Sequence, residues 1–495
     1  MKKQKKMKAV KKWHLAYCLA FVAVCAVPSV MMLIPSKAKA DSSAEKRVLA
    51  KMPSLQNEDG SLNEDFGDEF TAYVSDHFGF RQELADIDSR MKSKLFQTSS
   101  EKDVIIGKDG WLYYTPTQDD YVNNPTISEH GIQNIVYNLK MLQDYTQSKG
   151  AKFLTAIVPN KNTVYPEYMP DYVRPAQQNG NLENLSNAIQ GTDISFLNLA
   201  DVLIPAKGEN PTPIYYQTDT HWNNTGALIG YRAMMGKIKT LYSNYENSNY
   251  VTEPAHEGDL WKMLYPTSEE LENENIYDME FSFEYQGLYR SADDILITTL
   301  NTSQESTDSL LMFRDSFGAG IIPYFSEQFR LAKYSRAVPY TFYDMESEEY
   351  HAVIVEIVER NISRLQESAP VHGAPYAENV PEISSDSMKI TSASIEDFNG
   401  AYVHVFGAFD IPETPTGMEH YFVTMTDDSG KSVSYLAYHC YEKDKISEDS
   451  ANCKDNGYSL YIPTPDLSSG QHYSLTLTIQ GNDSCYGCAI GEFTT

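Results

Sequence analysis

Positive charge and cysteine are the scarce ingredients of this 495-residue chain. Forty lysines and arginines face 68 acidic residues, for a formal net charge of -28. Nine of those positive charges are lysines within the first 40 residues, where no acid occurs, so removing that stretch takes the balance to -37. So acidic a chain does not bind nucleic acid or anionic lipid through a general electrostatic field, and it fits solubility at a cell surface. Cysteine is absent between Cys25 and Cys440, which leaves the long central region without covalent cross-links. The four cysteines of the last 56 residues are Cys440, Cys453, Cys485 and Cys488. In an oxidising compartment they are expected to form two disulfides, Cys440 with Cys453 and Cys485 with Cys488, although spacing leaves the pairing open. The rival is a zinc site built from all four thiolates, because Cys485 and Cys488 have ligand spacing. No internal repeat is visible, and the α/β region has no convincing His/Asp/Glu ligand cluster. Neither a metal nor another cofactor is expected.

The start of the chain has a character of its own. Residues 1 to 12 carry seven lysines, Trp13 to Leu33 is almost wholly apolar, and Ala38-Lys39-Ala40 precedes Asp41. A basic start, an apolar stretch and an A-x-A site describe a secretory signal peptide in residues 1–40. The apolar run is also long enough to span a bilayer as a retained anchor. Both readings place the rest of the protein outside the cytoplasm.

From about residue 127 helix-like and strand-like text alternates. Ile132, Ile135, Val136, Leu139 and Leu142 fall at helical spacing, with Gly150 where a C-terminal cap belongs. Phe153 to Val158 reads as a strand buried on both faces, and Ile194 to Leu199, Leu310 to Phe313 and Ala352 to Ile357 as further short apolar strands. This pattern predicts an open, mainly parallel α/β sheet, whose chemistry lies at the carboxyl ends of its strands. Ahead of it, Val104 to Tyr114 reads as a hairpin turning at Lys108-Asp109-Gly110. Residues 244–308 interrupt the rhythm as an acidic, turn-rich insertion with a hairpin between Phe283 and Leu300. Residues 370–387 read as a linker. Beyond them the alternation in Tyr402 to Phe406, Tyr421 to Met425 and Tyr473 to Thr478 predicts a β-sandwich, giving a catalytic region over 41–369 and a β-rich accessory domain over 388–495.

Two short stretches carry the chemistry. Arg314-Asp315-Ser316-Phe317-Gly318 places a serine in a sharp turn between an apolar strand and a helical run. Asp219-Thr220-His221-Trp222 places an acid and an imidazole two residues apart, just before another helix. A serine hydroxyl needs a base within hydrogen-bond reach, and a carboxylate can fix the tautomer of that base. Ser316 is therefore the candidate nucleophile, His221 the base and Asp219 its partner, the parts of a serine hydrolase or acyltransferase. Backbone amides of Ser316 and its neighbours, Gly318 among them, are candidates for an oxyanion site, as is the side-chain amide of Asn160. Trp111 and Trp222, in a chain with 35 tyrosines, suit stacking on sugar rings, with burial in the core as the alternative. Arg314 either steadies an anionic substrate or pairs with nearby acids. The bland readings stand beside these: Asp-x-His pairs arise by chance in loops, and Asp315 or Ser316 equally suits a helix cap.

Several motifs in chain order carry a resemblance. They are Asp76-His77-Phe78-Gly79-Phe80-Arg81, Gly107-Lys108-Asp109-Gly110-Trp111-Leu112, Val158-Pro159-Asn160-Lys161 with Tyr165-Pro166, Asp219-Thr220-His221-Trp222-Asn223, Gly258-Asp259-Leu260, Arg314 to Gly318 and Val355 to Arg360. Over roughly residues 45 to 365 the chain resembles the extracytoplasmic polysaccharide O-acetyltransferases of the alginate O-acetyltransferase type, a circularly permuted branch of the SGNH hydrolases. The resemblance implies an SGNH-like catalytic domain, the same roles for Ser316, His221 and Asp219, and an acetyl-serine intermediate. It also implies a surface polysaccharide as acceptor and a membrane-bound acyltransferase as the source of acetyl groups. The β-rich domain would then be a carbohydrate-binding module. The competing expectation is a non-catalytic cell-surface protein that binds glycan through residues 388–495.

Overall fold

The computed structural model describes residues 13–22, 26–27, 50–57, 59–78, 80–239, 242–246, 248–303, 307–412, 420–441 and 455–495. Most of the 1–40 leader, and Cys453 with it, lie outside this set. Among the described residues no helix is long and apolar enough to cross a membrane. The chain divides into two compact units.

The smaller unit comprises residues up to Thr115 together with Gln217–Asp219 and Ala255–Glu272. It holds helices Phe66–His77 and Arg81–Phe96, and the expected hairpin of β1 (Val104–Ile106) and β2 (Leu112–Tyr114). Strands β1 and β2 pair antiparallel, Ile106 opposite Leu112, and the turn uses left-handed backbone at Asp109 and Gly110 (φ 53° and 84°). Its apolar core joins Val104 and Leu112 to Leu260, Leu264 and Tyr265 of helix Asp259–Leu264.

The larger unit contains a seven-stranded sheet. Its members are β3 (Lys152–Val158), β4 (Phe196–Asn198), β7 (Glu284–Gln286), β8 (Leu296–Leu300), β9 (Ser309–Phe313), β10 (Leu331–Ser335) and β11 (Ala352–Val358), while β5 (Tyr250–His256) and β6 (Glu272–Tyr277) lie outside it. The spatial order is β4-β3-β11-β9-β10-β8-β7. The first five strands run parallel, and β8 and β7 close the edge antiparallel. The two central strands β9 and β11 are buried along their whole length, as continuous apolar runs in a two-faced sheet should be. Helix Glu129–Ser148 covers one face. Ser128 caps it by accepting the Gly131 N–H, and Ile132, Ile135, Val136, Leu139 and Leu142 are all buried. The predicted strands and this helix are thus found. Part of the 244–308 stretch is not an excursion, because β7 and β8 complete the sheet itself.

Residues 389–494 form the expected sandwich. One sheet has β12 (Lys389–Phe398), β13 (Tyr402–Asp410), β17 (Gly457–Pro463) and β16 (Tyr438–Cys440), and the other β15 (Ser432–Leu436), β14 (His420–Asp427), β18 (His472–Gln480) and β19 (Cys485–Thr494). Val405, Tyr421, Val423, Leu460, Leu475 and Leu477 are among the residues that fill the space between them. Tyr402, Tyr438, Cys440 and Tyr461 pack instead into the same core as helix Glu129–Ser148. Asn138 of that helix donates to the carbonyls of Leu365 and His439 (3.1 and 2.8 Å) and accepts the His439 N–H (3.0 Å). The start of the 370–387 segment is correspondingly no free linker: Val371 and His372 are buried, and His372 stacks on Tyr145 and bonds the Tyr438 hydroxyl.

The disulfide expectation needs correction where it can be seen. Cys485 and Cys488 are free thiols. They lie three apart on a regular stretch of β19, opposite Gln480 and Leu477, so alternation along the strand sends their side chains to opposite faces. Cys440 is buried and free, and burial pushes its thiol up to about 12.

Candidate active site

Ser316 follows the carboxyl end of β9, where the chain tightens into the 3-10 turn Phe317–Ile321 before helix Ile322–Gln328. Three features hold this turn. Asp315 Oδ1 accepts the Phe317 N–H (2.9 Å) as a local cap. Its Oδ2 reaches the next strand and accepts from the Val358 N–H and Asn361 Nδ2, each at 2.8 Å. Trp222 Nε1 donates to the Phe317 carbonyl (3.0 Å). The capping reading of Asp315-Ser316 thus holds for the acid, which caps the turn that presents Ser316.

His221 does not follow a strand of the sheet. Its loop is closed by an isolated bridge between Tyr215 and Trp222, with the Tyr216 N–H donating to the His221 carbonyl (3.2 Å). Asn223 then caps helix Asn224–Ile238 by accepting from Thr225 and Gly226. This arrangement brings His221 Nε2 to 2.9 Å from Ser316 Oγ. Nδ1 lies 3.0 Å from Thr220 Oγ1, and the imidazole packs on Phe317, with ring centroids 4.7 Å apart. A hydroxyl within hydrogen-bond distance of an imidazole nitrogen is the pairing needed to activate a serine.

Asp219 is almost completely buried. Its Oδ2 accepts the Asp259 N–H (2.9 Å) and faces His256 Nε2 (3.0 Å). The preceding residues are gripped as well. Glu272 accepts from the Gln217 and Thr218 amides and the Thr218 hydroxyl, and the Thr218 carbonyl accepts the Trp261 N–H (3.0 Å). Sequence reasoning missed His256 and Glu272. The one signal was their nearness to Gly258-Asp259-Leu260, which the resemblance had already marked.

The other expected contacts fare differently. Trp222 is 3% exposed, and its ring lies against Gly230, where a Cβ would meet it at 2.7 Å, so it braces the turn and offers no stacking face. Trp111 is equally a core residue. Arg314 is buried, with its guanidinium donating to the carbonyls of Ala292, Asp294 and Asp315, and desolvation lowers it to about 10. Those partners make it a brace for the 292–294 loop. Gly318 packs so closely that a Cβ would meet Arg314 Cβ and Glu356 Oε2 at 2.7 Å. Glu356 is itself wholly buried, and desolvation holds its carboxyl well above the usual range.

Asn160 follows β3 and is fully buried. Its Nδ2 donates to Asp120 Oδ2 (2.9 Å) and its backbone N–H to Glu359 Oε2 (2.9 Å), which also accepts from Thr163 Oγ1 (2.6 Å). Burial raises both acids, Glu359 to about 8 with the Asp120 charge adding to the rise, and Asp120 to about 6 against the hydrogen bonds from Asn160 and Asn181. Asp120, Thr163 and Glu359 line a cavity of about 850 Å³ whose wall also takes in Phe196, Leu197 and Asn198 of β4. Asn160 is thus an organiser of this acidic wall, a use of its amide that the sequence did not suggest.

Residues 104–297 match the family model described as SGNH hydrolase-like domain, acetyltransferase AlgX. The probable alginate O-acetylase AlgJ of Pseudomonas syringae pv. tomato is 30% identical over 201 residues, 39% of this chain and 49% of that protein. The chain spans about half the length of the curated relatives it matches. Among solved structures, PatB1 of Bacillus cereus (16% identity, TM-score 0.39) is matched over 52% of this chain and 97% of that one. AlgX of Pseudomonas aeruginosa (14% identity, TM-score 0.35) is matched over 82% and 98%. Residues 104–297 therefore resemble the SGNH hydrolase-like, alginate O-acetyltransferase-type family, in agreement with the resemblance carried by the ordered motifs.

Proposed function

We propose that this protein is an extracytoplasmic O-acetyltransferase that acts on a surface polysaccharide through an acetyl-serine intermediate. The observation that carries the reading is the 2.9 Å approach of His221 Nε2 to Ser316 Oγ, at the carboxyl end of a buried parallel strand. In the first half-reaction Ser316 Oγ attacks the donor's acetyl carbonyl while Nε2 takes its proton. The tetrahedral intermediate collapses, the leaving group receives that proton, and acetyl remains on Ser316. In the second, Nε2 removes the proton of a sugar hydroxyl as its oxygen attacks the acetyl-serine carbonyl; the Ser316 Oγ–acetyl bond then breaks, Oγ recovers the proton from Nε2, and the sugar departs as its acetyl ester. Asp219, two residues before His221 in the same turn, is the orienting carboxylate. The Phe317 N–H is engaged by Asp315, so the amides of Ser316 and Gly318 are the oxyanion donors in this scheme. Water in place of the sugar hydroxyl would make the same site an acetylesterase.

An exported protein, delivered by its basic and apolar leader, meets such a polysaccharide outside the cytoplasm, with a membrane-bound acyltransferase as the acetyl source. The sandwich of residues 388–495 is the candidate for holding the glycan. Incubation with an activated aryl acetate followed by intact-mass and peptide mapping tests the core of this reading. One acetyl group on Ser316 is expected, together with no adduct and no turnover in Ser316→Ala. Turnover by Ser316→Ala at the wild-type rate would remove the serine from the mechanism and favour a glycan-binding role alone.

A further inference from the structure

The geometry around Asp219 points to a fourth residue in this machinery: we propose that His256 is a positioning residue that sets the plane of the Asp219 carboxylate. The inference rests on Asp219 serving as the orienting acid. A carboxylate directs an imidazole only if its own rotation about Cβ–Cγ is restricted, since misplacement by about 1 Å can lower a rate 100-fold. Asp219 meets that condition through one oxygen. Oδ2 takes the Asp259 amide at 2.9 Å and His256 Nε2 at 3.0 Å, and the side chain is 6% exposed. Two donors on one oxygen fix the carboxylate plane.

The partner's chemistry also fixes the state of His256. An ionised carboxylate only accepts hydrogen bonds, so Nε2 must carry a hydrogen, whether the ring is neutral or charged. The two donors come from a single short loop, since His256 ends β5 and Asp259 opens helix Asp259–Leu264. The same stretch holds the residues just ahead of Asp219, through Glu272 on Gln217 and Thr218 and through Trp261 on Thr218. Residues 217–219 are therefore clamped in backbone and side chain by 255–272. A purely structural histidine would not need to meet the functional acid, since Glu272 and Trp261 already grip the loop at Gln217 and Thr218.

Two amide substitutions test this with little change in polarity. In His256→Gln the side-chain Nε2 falls near the place of the imidazole Nε2 and keeps the donor. In His256→Asn the amide reaches only as far as imidazole Nδ1 and loses it. The His256 side chain is 28% exposed, which leaves room for either. With the full chain and an aryl acetate, His256→Gln should keep kcat within about 3-fold of wild type, while His256→Asn should lose about 10-fold with KM unchanged. In an Asp219→Asn background, His256→Asn should add no further loss, because residues acting as one unit are not additive. Full kcat in His256→Asn, equal losses in both amide variants, or an undiminished loss in the Asp219→Asn background would each overturn the proposal. Ser316→Ala assayed alongside separates the cases. If it is inactive while His256→Asn is fully active, only the role of His256 fails; if it is active, the triad reading itself fails.

Discussion

Asp315 offers the sharpest test of how Ser316, the proposed nucleophile, is held, because it stands beside that serine and has no part in the proposed chemistry. Its two oxygens accept three hydrogen bonds, from Phe317 N–H on one side and from Val358 N–H and Asn361 Nδ2 on the other. Asp315→Asn keeps the shape but replaces one acceptor by a donor. With its oxygen turned toward Val358 and Asn361, the new amide confronts the Phe317 N–H; with the opposite rotamer it confronts two donors. The better rotamer loses one hydrogen bond to a charged group, worth about 1.5–3 kcal/mol, and weakens two others by roughly 0.5–1 kcal/mol each as the charge disappears. The expected destabilisation is about 3–4 kcal/mol. Asp315→Ala leaves three donors without this acceptor and should be at least as damaging.

Denaturant unfolding with a constant slope measures the loss, and single-turnover acetylation reports on the serine. The loosened turn should slow acetylation in Asp315→Asn even where the protein is fully folded, since Ser316 then samples positions away from His221. A destabilisation below about 1 kcal/mol would show that the three contacts do not hold the turn as argued. So would wild-type acetylation in a variant destabilised as expected.

Two further outcomes follow from the same neighbourhood. Trp222→Phe removes the indole N–H that donates to the Phe317 carbonyl and should cost about 1–3 kcal/mol while lowering kcat more than it changes KM; an unchanged kcat would relieve Trp222 of its bracing role. Glu359 is raised by burial to about 8 and Asp120 to about 6, so the folded state holds protons that the unfolded chain releases above about pH 4. Stability from these groups is therefore lost as pH rises from about 4.5 toward 8, by at most about 1.4 kcal/mol per pH unit for each proton. Glu359→Gln should flatten the fall in unfolding free energy between pH 5 and 8; an unaltered slope would mean that Glu359 is ionised in the fold.

The legible parts of the chain are those whose information is local. Phe153 to Val158, Leu310 to Phe313 and Ala352 to Ile357 announce themselves because a strand buried on both faces must be apolar throughout. The Lys108-Asp109-Gly110 turn is equally plain, since its left-handed positions call for such residues. Strand β10 escaped because Leu331-Ala332-Lys333-Tyr334-Ser335 alternates with a charged residue, and its place beside β9 depends on pairing that no local pattern reveals. Strands β7 and β8 looked like an insertion for a similar reason. The edge of a sheet tolerates polar, turn-rich text, and only the antiparallel register of β8 on β10 makes it part of the sheet.

The site shows the same division more sharply. Ser316 and His221 were legible as a pair because the proposed chemistry needs particular atoms in particular turns. What holds them was not, since a brace is defined by its partner. Trp222 and Arg314 look like ligand-facing residues in the sequence, an aromatic and a cation beside the motif residues. In the fold each donates to backbone carbonyls, one at Phe317 and the other at Ala292, Asp294 and Asp315. A buried donor without an acceptor costs about 1–3 kcal/mol, so an inward-facing indole or guanidinium must find a carbonyl, and the carbonyls left over at turns are the ones available. Turns are also where α/β sheets place their chemistry. Large polar residues next to a catalytic motif are thus recruited as supports as readily as for substrate, and only their burial separates the two uses.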